Sequence, residues 1–339
     1  MYYFLSNKKH SETGLEEEQE QKRGTIMSEL VYFDFLVRNE VATTKILKTI
    51  PNSHQFFYLI QSIEQVSISA MDEHEYETRN IRNDNSVLIK FKNQQTTPLN
   101  VYLKSLTSSR KFILQVITFY EVLLKSIGIL LAHKIVHNNI GFNTTLINYM
   151  ETPLLGNFSY SINIDNPKIN MFMHEIFREY TPDLIQRPME HHILSYLISN
   201  KISSLSMHNI HTIIEEVYEN NPLLNHFGNN ILTNFKAEAA EYYKKYVNKK
   251  YEEIINDVIL YHTTWDNYGL SVIYLNILIG IHKTIQKKNK LIILFMRLLM
   301  ENVNPNPYKR NTLETTMQKL DFFVQDCDQD DFIYLVKHL

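Results

Sequence analysis

The sequence predicts an α+β fold, with a small mixed N-terminal part followed by a larger, mainly helical one. Between residues 29 and 96, short runs rich in aromatic and β-branched residues alternate with polar breaks. After Pro98 the apolar residues recur at helical spacing along most of the chain. Glycine is scarce, with 8 in 339 residues, so three motifs that depend on closely spaced glycines are excluded. The dinucleotide fingerprint, the P-loop and the nucleophile elbow each need two glycines within about five residues, where a Cβ would clash. Here the nearest two, Gly14 and Gly24, stand 10 positions apart.

Residues 1–28 hold Glu16-Glu17-Glu18-Gln19-Glu20-Gln21-Lys22-Arg23 without an apolar stripe and read as a charged, solvated arm. The run 29–36 reads as a strand, 39–50 as a helix stopped by Pro51, and 56–68 and 86–91 as strands around a polar loop at 72–85. A short helix at 99–106 and a long one at 111–133 follow, the latter with Phe112, Val116, Phe119, Leu123 and Ile127 on one stripe. Asn, Gly and Pro break 135–158 into short strands and loops. Helical patterning then covers 190–199, 207–218, 231–261, 265–285, 290–300, 313–323 and 332–338. No period of 20–50 residues repeats, which argues against a solenoid.

The composition, 44% hydrophobic and 12% aromatic, supports a real core. A net charge of −3 offers no field for nucleic acid. The single cysteine, Cys327, cannot form an intrachain disulfide and fits a reducing, intracellular setting. The most apolar run, 112–132, carries Glu121 and Lys125 near its middle and reads as a buried helix rather than a membrane span. The N-terminus lacks the basic-then-apolar order of a signal peptide.

After the long helix stands His137-Asn138-Asn139-Ile140-Gly141-Phe142-Asn143-Thr144, preceded by Ile135-Val136 and followed by Thr145-Leu146-Ile147. Next come Gly156-Asn157-Phe158-Ser159, Pro188-Met189-Glu190, Trp265-Asp266-Asn267-Tyr268-Gly269 and Asn306-Pro307-Tyr308-Lys309-Arg310. In this order the five segments resemble the catalytic loop, the Asp-Phe-Gly and Ala-Pro-Glu segments, the start of the central helix and the Pro-x-x-Arg segment of protein kinases. The Trp-Asp-Asn-Tyr run and the long helical stretch before it are most similar to kinase-like proteins of large DNA viruses.

The resemblance implies a bilobal fold, with a reduced small lobe at 29–96 and a helical large lobe at 97–339. It also implies a chemistry that the residues do not support. The position of the catalytic base is Asn139, whose amide cannot take up a proton near neutral pH. The loop Lys position is Gly141, the metal-binding Asn position is Thr144 with Asn143 beside it, and the metal-binding Asp position is Asn157, a poorer partner for Mg²⁺. The interval from 25 to 127 has no glycine to form a lid over phosphates.

Lys90, in Val87-Leu88-Ile89-Lys90, stands too close to His137 to be the phosphate-positioning Lys. Three helices, two strands and their connections need about 65 residues. Lys90 therefore belongs to the strand entering the interlobe hinge and is the one residual candidate for contact with a nucleotide. The helix bearing Glu40 becomes the counterpart of the helix that normally pairs with that Lys. Glu190 and Arg310 are implied as a buried ion pair, and Asp266 as an acceptor for the main chain around His137.

His174, His191, His192, His208 and His211 do not make a zinc motif, because His174-Glu175-Ile176-Phe177-Arg178 lacks the second histidine. The Lys244–Lys250 and Lys287–Lys290 runs read as solvated helix faces. The expectation is a catalytically inactive kinase-like protein that binds, scaffolds or regulates, with no cofactor beyond a vestigial ATP–Mg²⁺ interaction. Its protein partner would engage the helical insertion at 191–262, in a host cytoplasm or a virion if the protein is viral. An atypical active serine/threonine kinase and a structural or virion-packaged protein are the alternatives.

Overall fold

The computed structural model describes residues 26–65, 86–92, 95–219, 221–284, 289–326 and 329–339. Most of the charged arm, the loop at 72–85, Cys327 and the Lys287-Lys288 pair lie outside the described residues. Among the described residues the fold is α+β, mostly helical, with three small sheets.

The N-terminal part holds β1 (Ile26–Tyr32), α1 (Phe35–Leu47), β2 (Phe57–Tyr58), β3 (Ile60–Gln65) and β4 (Ser86–Lys92). Strands β1, β4 and β3 form an antiparallel sheet with β4 in the centre. Ile60, Val87 and Ile89 are buried against Val37 and Val41 of α1, so one face of the sheet packs on the helix. The aromatic run at 29–36, expected to be a single strand, divides at Asp34. That side chain accepts from Val37 N at 2.9 Å and caps α1, which therefore starts four residues earlier than the apolar spacing indicates.

The chain continues through β5 (Thr97–Pro98), α2 (Leu99–Ser105), α3 (Ser109–Ala132), β6 (Ile135–Val136), β7 (Thr145–Ile147), β8 (Pro153–Gly156) and β9 (Ile162–Asn163). A four-stranded sheet in the order β2-β8-β7-β5 stitches the N-terminal part to the β7–β8 hairpin, with Phe57 paired to Leu155. By length and composition α3 could cross a membrane, but its stripe from Ile113 to Leu130 lies in the core and its Glu121 and Lys125 pair at 2.6 Å on the outer face.

Next are α4 (Ile169–Ile176), α5 (Met189–Ser199), α6 (Met207–Glu219), α7 (Pro222–Phe227), α8 (Asn229–Tyr243), α9 (Tyr251–Val258), α10 (His262–Thr284), α11 (Lys290–Asn302), α12 (Leu313–Gln325) and α13 (Gln329–His338). Helix α10 is buried on all sides from Thr264 to Leu275, as a central core helix must be. Gly269 makes this close packing feasible, because a Cβ there would come within 3.3 Å of Gln186 O and 3.5 Å of Ile140.

The helix expected over 231–261 is interrupted. A 3-10 turn at Lys244–Tyr246 and the left-handed Asn248 (φ 60°) end α8, while Asn248 N donates to Leu205 O at 2.8 Å. This tertiary pairing overrides the local helical pattern. Helices α4 and α7, absent from the periodicity reading, are both short, and α7 begins with Pro222 behind the Asn221 cap.

Candidate functional site

The site is built around the loop His137–Thr144, between β6 and β7. Asp266, in the first turns of α10, accepts from His137 N at 2.7 Å and Asn138 N at 2.8 Å. Its carboxyl is fully enclosed, and burial raises it to about 6 in spite of those two N–H groups. Its role is thus to satisfy two buried donors that otherwise have no partner. Asn138 can meet it because its backbone adopts φ 60°, which Asn tolerates.

The His137 ring is buried, and burial lowers it to about 4. Its Nδ1 accepts from Asn139 N at 3.3 Å, so Nε2 carries the hydrogen and donates to Gly156 O at 3.0 Å. Phe158 packs on the ring at 4.8 Å. Asn139 is half-buried and brings no carboxylate to the loop.

The Thr144 hydroxyl donates to Asn139 O at 2.7 Å and accepts from Gly141 N at 2.9 Å, so it closes the loop upon itself. Asn143 is exposed. At Gly141 a Cβ would meet only Thr144 Oγ1, at 4.0 Å, so sterics do not exclude a side chain there. Asn157 sits at φ 60° and accepts from Ser159 Oγ at 2.5 Å, directed into its own turn.

Lys90 lies on β4 beside the buried Ile89 and therefore on the opposite face of the sheet, where it pairs with Glu64 at 2.5 Å. Glu40, on α1, faces Phe158 and Glu29. Burial pushes its carboxyl up to about 7, and the Glu29 charge adds to the rise against the Phe158 N–H. Glu29 stands opposite Ile89 in the β1–β4 register, which puts it on the face that packs against α1. Burial raises Glu29 as well, and Tyr58 rises to about 12 through burial and the same Glu29 charge. The place opposite Glu40 thus holds a second acid.

A carboxyl raised on folding weakens the folded state as it ionises, so the loss begins near pH 4.5 and is complete above about pH 7. Glu40→Gln is expected to stabilise the protein by about 2–3 kcal/mol at pH 8 and to be nearly neutral at pH 4.5. Urea denaturation at the two pH values measures this, and a less stable variant at pH 8 would reveal a cationic partner for Glu40.

Glu190 and Arg310 meet as a bidentate pair, Nη1 to Oε1 at 2.5 Å and Nη2 to Oε2 at 2.8 Å, with the side chains 1% and 0% exposed. Arg310 Nε donates to Asn304 O at 2.8 Å. The Tyr243 hydroxyl, from the helical insertion, reaches Glu190 Oε2 at 2.8 Å and Pro305 O at 2.9 Å. Asn39 adds a second link of this kind, its Nδ2 lying 2.8 Å from both Ser159 O and Ser161 O and fastening α1 to the segment after Phe158. Neither Tyr243 nor Asn39 stands in a motif, so spacing gives no sign of them.

Among the described residues no group of three or more His, Cys, Asp or Glu side chains could hold a metal ion. His191 and His192 are buried among Phe177, Trp265 and Tyr180. Lys244, Lys245 and Lys249 are paired with Glu241, Asp257 and Glu253. No protein-family model and no curated protein matches the chain.

Proposed function

We propose that the protein is a degenerate protein-kinase-like fold that works by binding a protein partner rather than by phosphoryl transfer. The observation that carries this reading is the acid pair. Glu29 occupies the strand position facing Glu40, where a kinase needs a cation to hold phosphates, and a second acid there, raised by burial as Glu40 is, offers phosphates no cation. The anchors Asp266, Glu190 and Arg310 support the kinase-like scaffold, while Asn139, Asn157 and Gly141 leave it without base, metal ligand or loop cation. Asn39 holds α1 against the segment after Phe158, which suits a fixed binding surface better than a catalytic cycle. The helical insertion at 191–262 offers the partner surface.

Thermal melts with and without MgATP test this. A nucleotide at 100 times its Kd adds about 2.7 kcal/mol, so real binding would raise Tm by roughly 4 °C. The expected shift is nil, with no transfer of labelled phosphate to any acceptor. A MgATP shift lost in Lys90→Ala would instead favour an atypical active kinase.

A further inference from the structure

Two arginines are buried in the large helical part, and they differ in one respect. Every nitrogen of Arg310 donates to a protein oxygen. The Arg187 side chain, on a residue 8% exposed, makes no hydrogen bond or ion pair within 4 Å among the described residues, and its neighbour is the face of Tyr160, 5.3 Å from Cζ. The guanidinium is not sealed in: its nitrogens keep some access to solvent and meet no protein oxygen, so an oxyanionic partner from outside the chain would find its donors unpaired.

The space for one is present. Arg187 lines a cavity of about 90 Å³ that runs between Leu36 of α1 and the 175–187 segment. That volume takes several waters or one oxyanionic group. The Thr181 hydroxyl, on the same wall, is buried with no hydrogen-bond partner and is available as a second donor. Glu175, Arg178 and Glu179 also line the cavity and are exposed at its rim; Glu179 lies 3.7 Å from Arg178, and its charge reaches Arg187 as well.

We propose that this cavity binds one oxyanionic group, a carboxylate or a phosphate, gripped by the Arg187 fork with Thr181 as the second donor. The inference rests on the cavity alone and is independent of the kinase-like reading. The group arrives either as a free ion or on the side chain of a peptide.

Melts and titration calorimetry on the full chain, at ionic strength matched with chloride, distinguish these sources. The probes are inorganic phosphate, acetate, and short peptides carrying one phosphoserine or one glutamate. At least one probe is expected to raise Tm saturably. Arg187→Met is expected to keep the fold, with at most the small loss of the Tyr160 contact, and to lose the response entirely, while Thr181→Val weakens binding about tenfold. A response to free ions alone assigns the site to a small anion, and tighter binding of a peptide assigns it to a partner's side chain. The proposal fails if wild type answers none of the probes, if Arg187→Met answers as wild type does, or, should Arg187→Met not fold, if Thr181→Val binds every probe as tightly as wild type.

Discussion

Arg310→Met is expected to lower the free energy of unfolding by about 3–5 kcal/mol, the cost of leaving a buried charge without its partner. Its loss strands the Glu190 carboxylate at 1% exposure, with the Tyr243 hydroxyl as its remaining donor. Burial alone disfavours the Arg310 charge, and the adjacent Glu190 carboxylate more than restores it. Glu190→Gln keeps the shape and one acceptor and should cost less. The double variant Glu190→Leu/Arg310→Met should recover part of the loss, because the pair's own desolvation penalty disappears with it. Urea denaturation followed by circular dichroism gives these free energies, and Glu190→Leu alone closes the double-mutant cycle. A loss below about 1 kcal/mol for Arg310→Met would show that the pair is not sealed from solvent.

Asp266→Ala removes the common acceptor of two buried N–H groups, those of His137 and Asn138. Each orphaned donor costs about 1–3 kcal/mol, so a loss of about 2–6 kcal/mol is expected. The effect should be local as well as global. Asn138 holds a left-handed backbone that Asp266 helps to impose, and without it the loop 137–144 should open ahead of the rest of the fold. Hydrogen exchange resolves this, since the His137 and Asn138 amides should lose protection by a larger factor than those of α3. Equal protection in variant and wild type would mean that the loop is held by Thr144 and the His137 ring instead.

Much of the fold was legible because its elements carry local signals. The apolar stripe of α3, the alternation of β4 and the all-round apolar character of α10 each reflect a repeating pattern in the chain. The division of 29–36 at Asp34 was legible in principle, as an Asp ahead of an apolar run is a cap, but the aromatic content of the run outweighed it. The interruption of 231–261 was not, because Asn248 turns to meet Leu205, more than 40 positions earlier.

The candidate site divides in the same way. His137, Asn139, Thr144, Asn157, Glu190, Asp266 and Arg310 stand in an ordered series of short segments and can be named without coordinates. Tyr243 and Asn39 cannot, since a tyrosine in a helix and an asparagine in another look like any others until their acceptors, 53 and about 120 positions away, are in place.

By itself the sequence determined which residues the loop offers, and hence that Asn139 and Asn157 bring no carboxylate to it. Amide and carboxyl groups differ covalently, and no packing alters that. Only the tertiary structure decided that Glu29 faces Glu40, that Lys90 points away towards Glu64, and that Arg187 is buried without an anion. Burial and charge pairing depend on neighbours remote along the chain, and the fold alone brings those neighbours together.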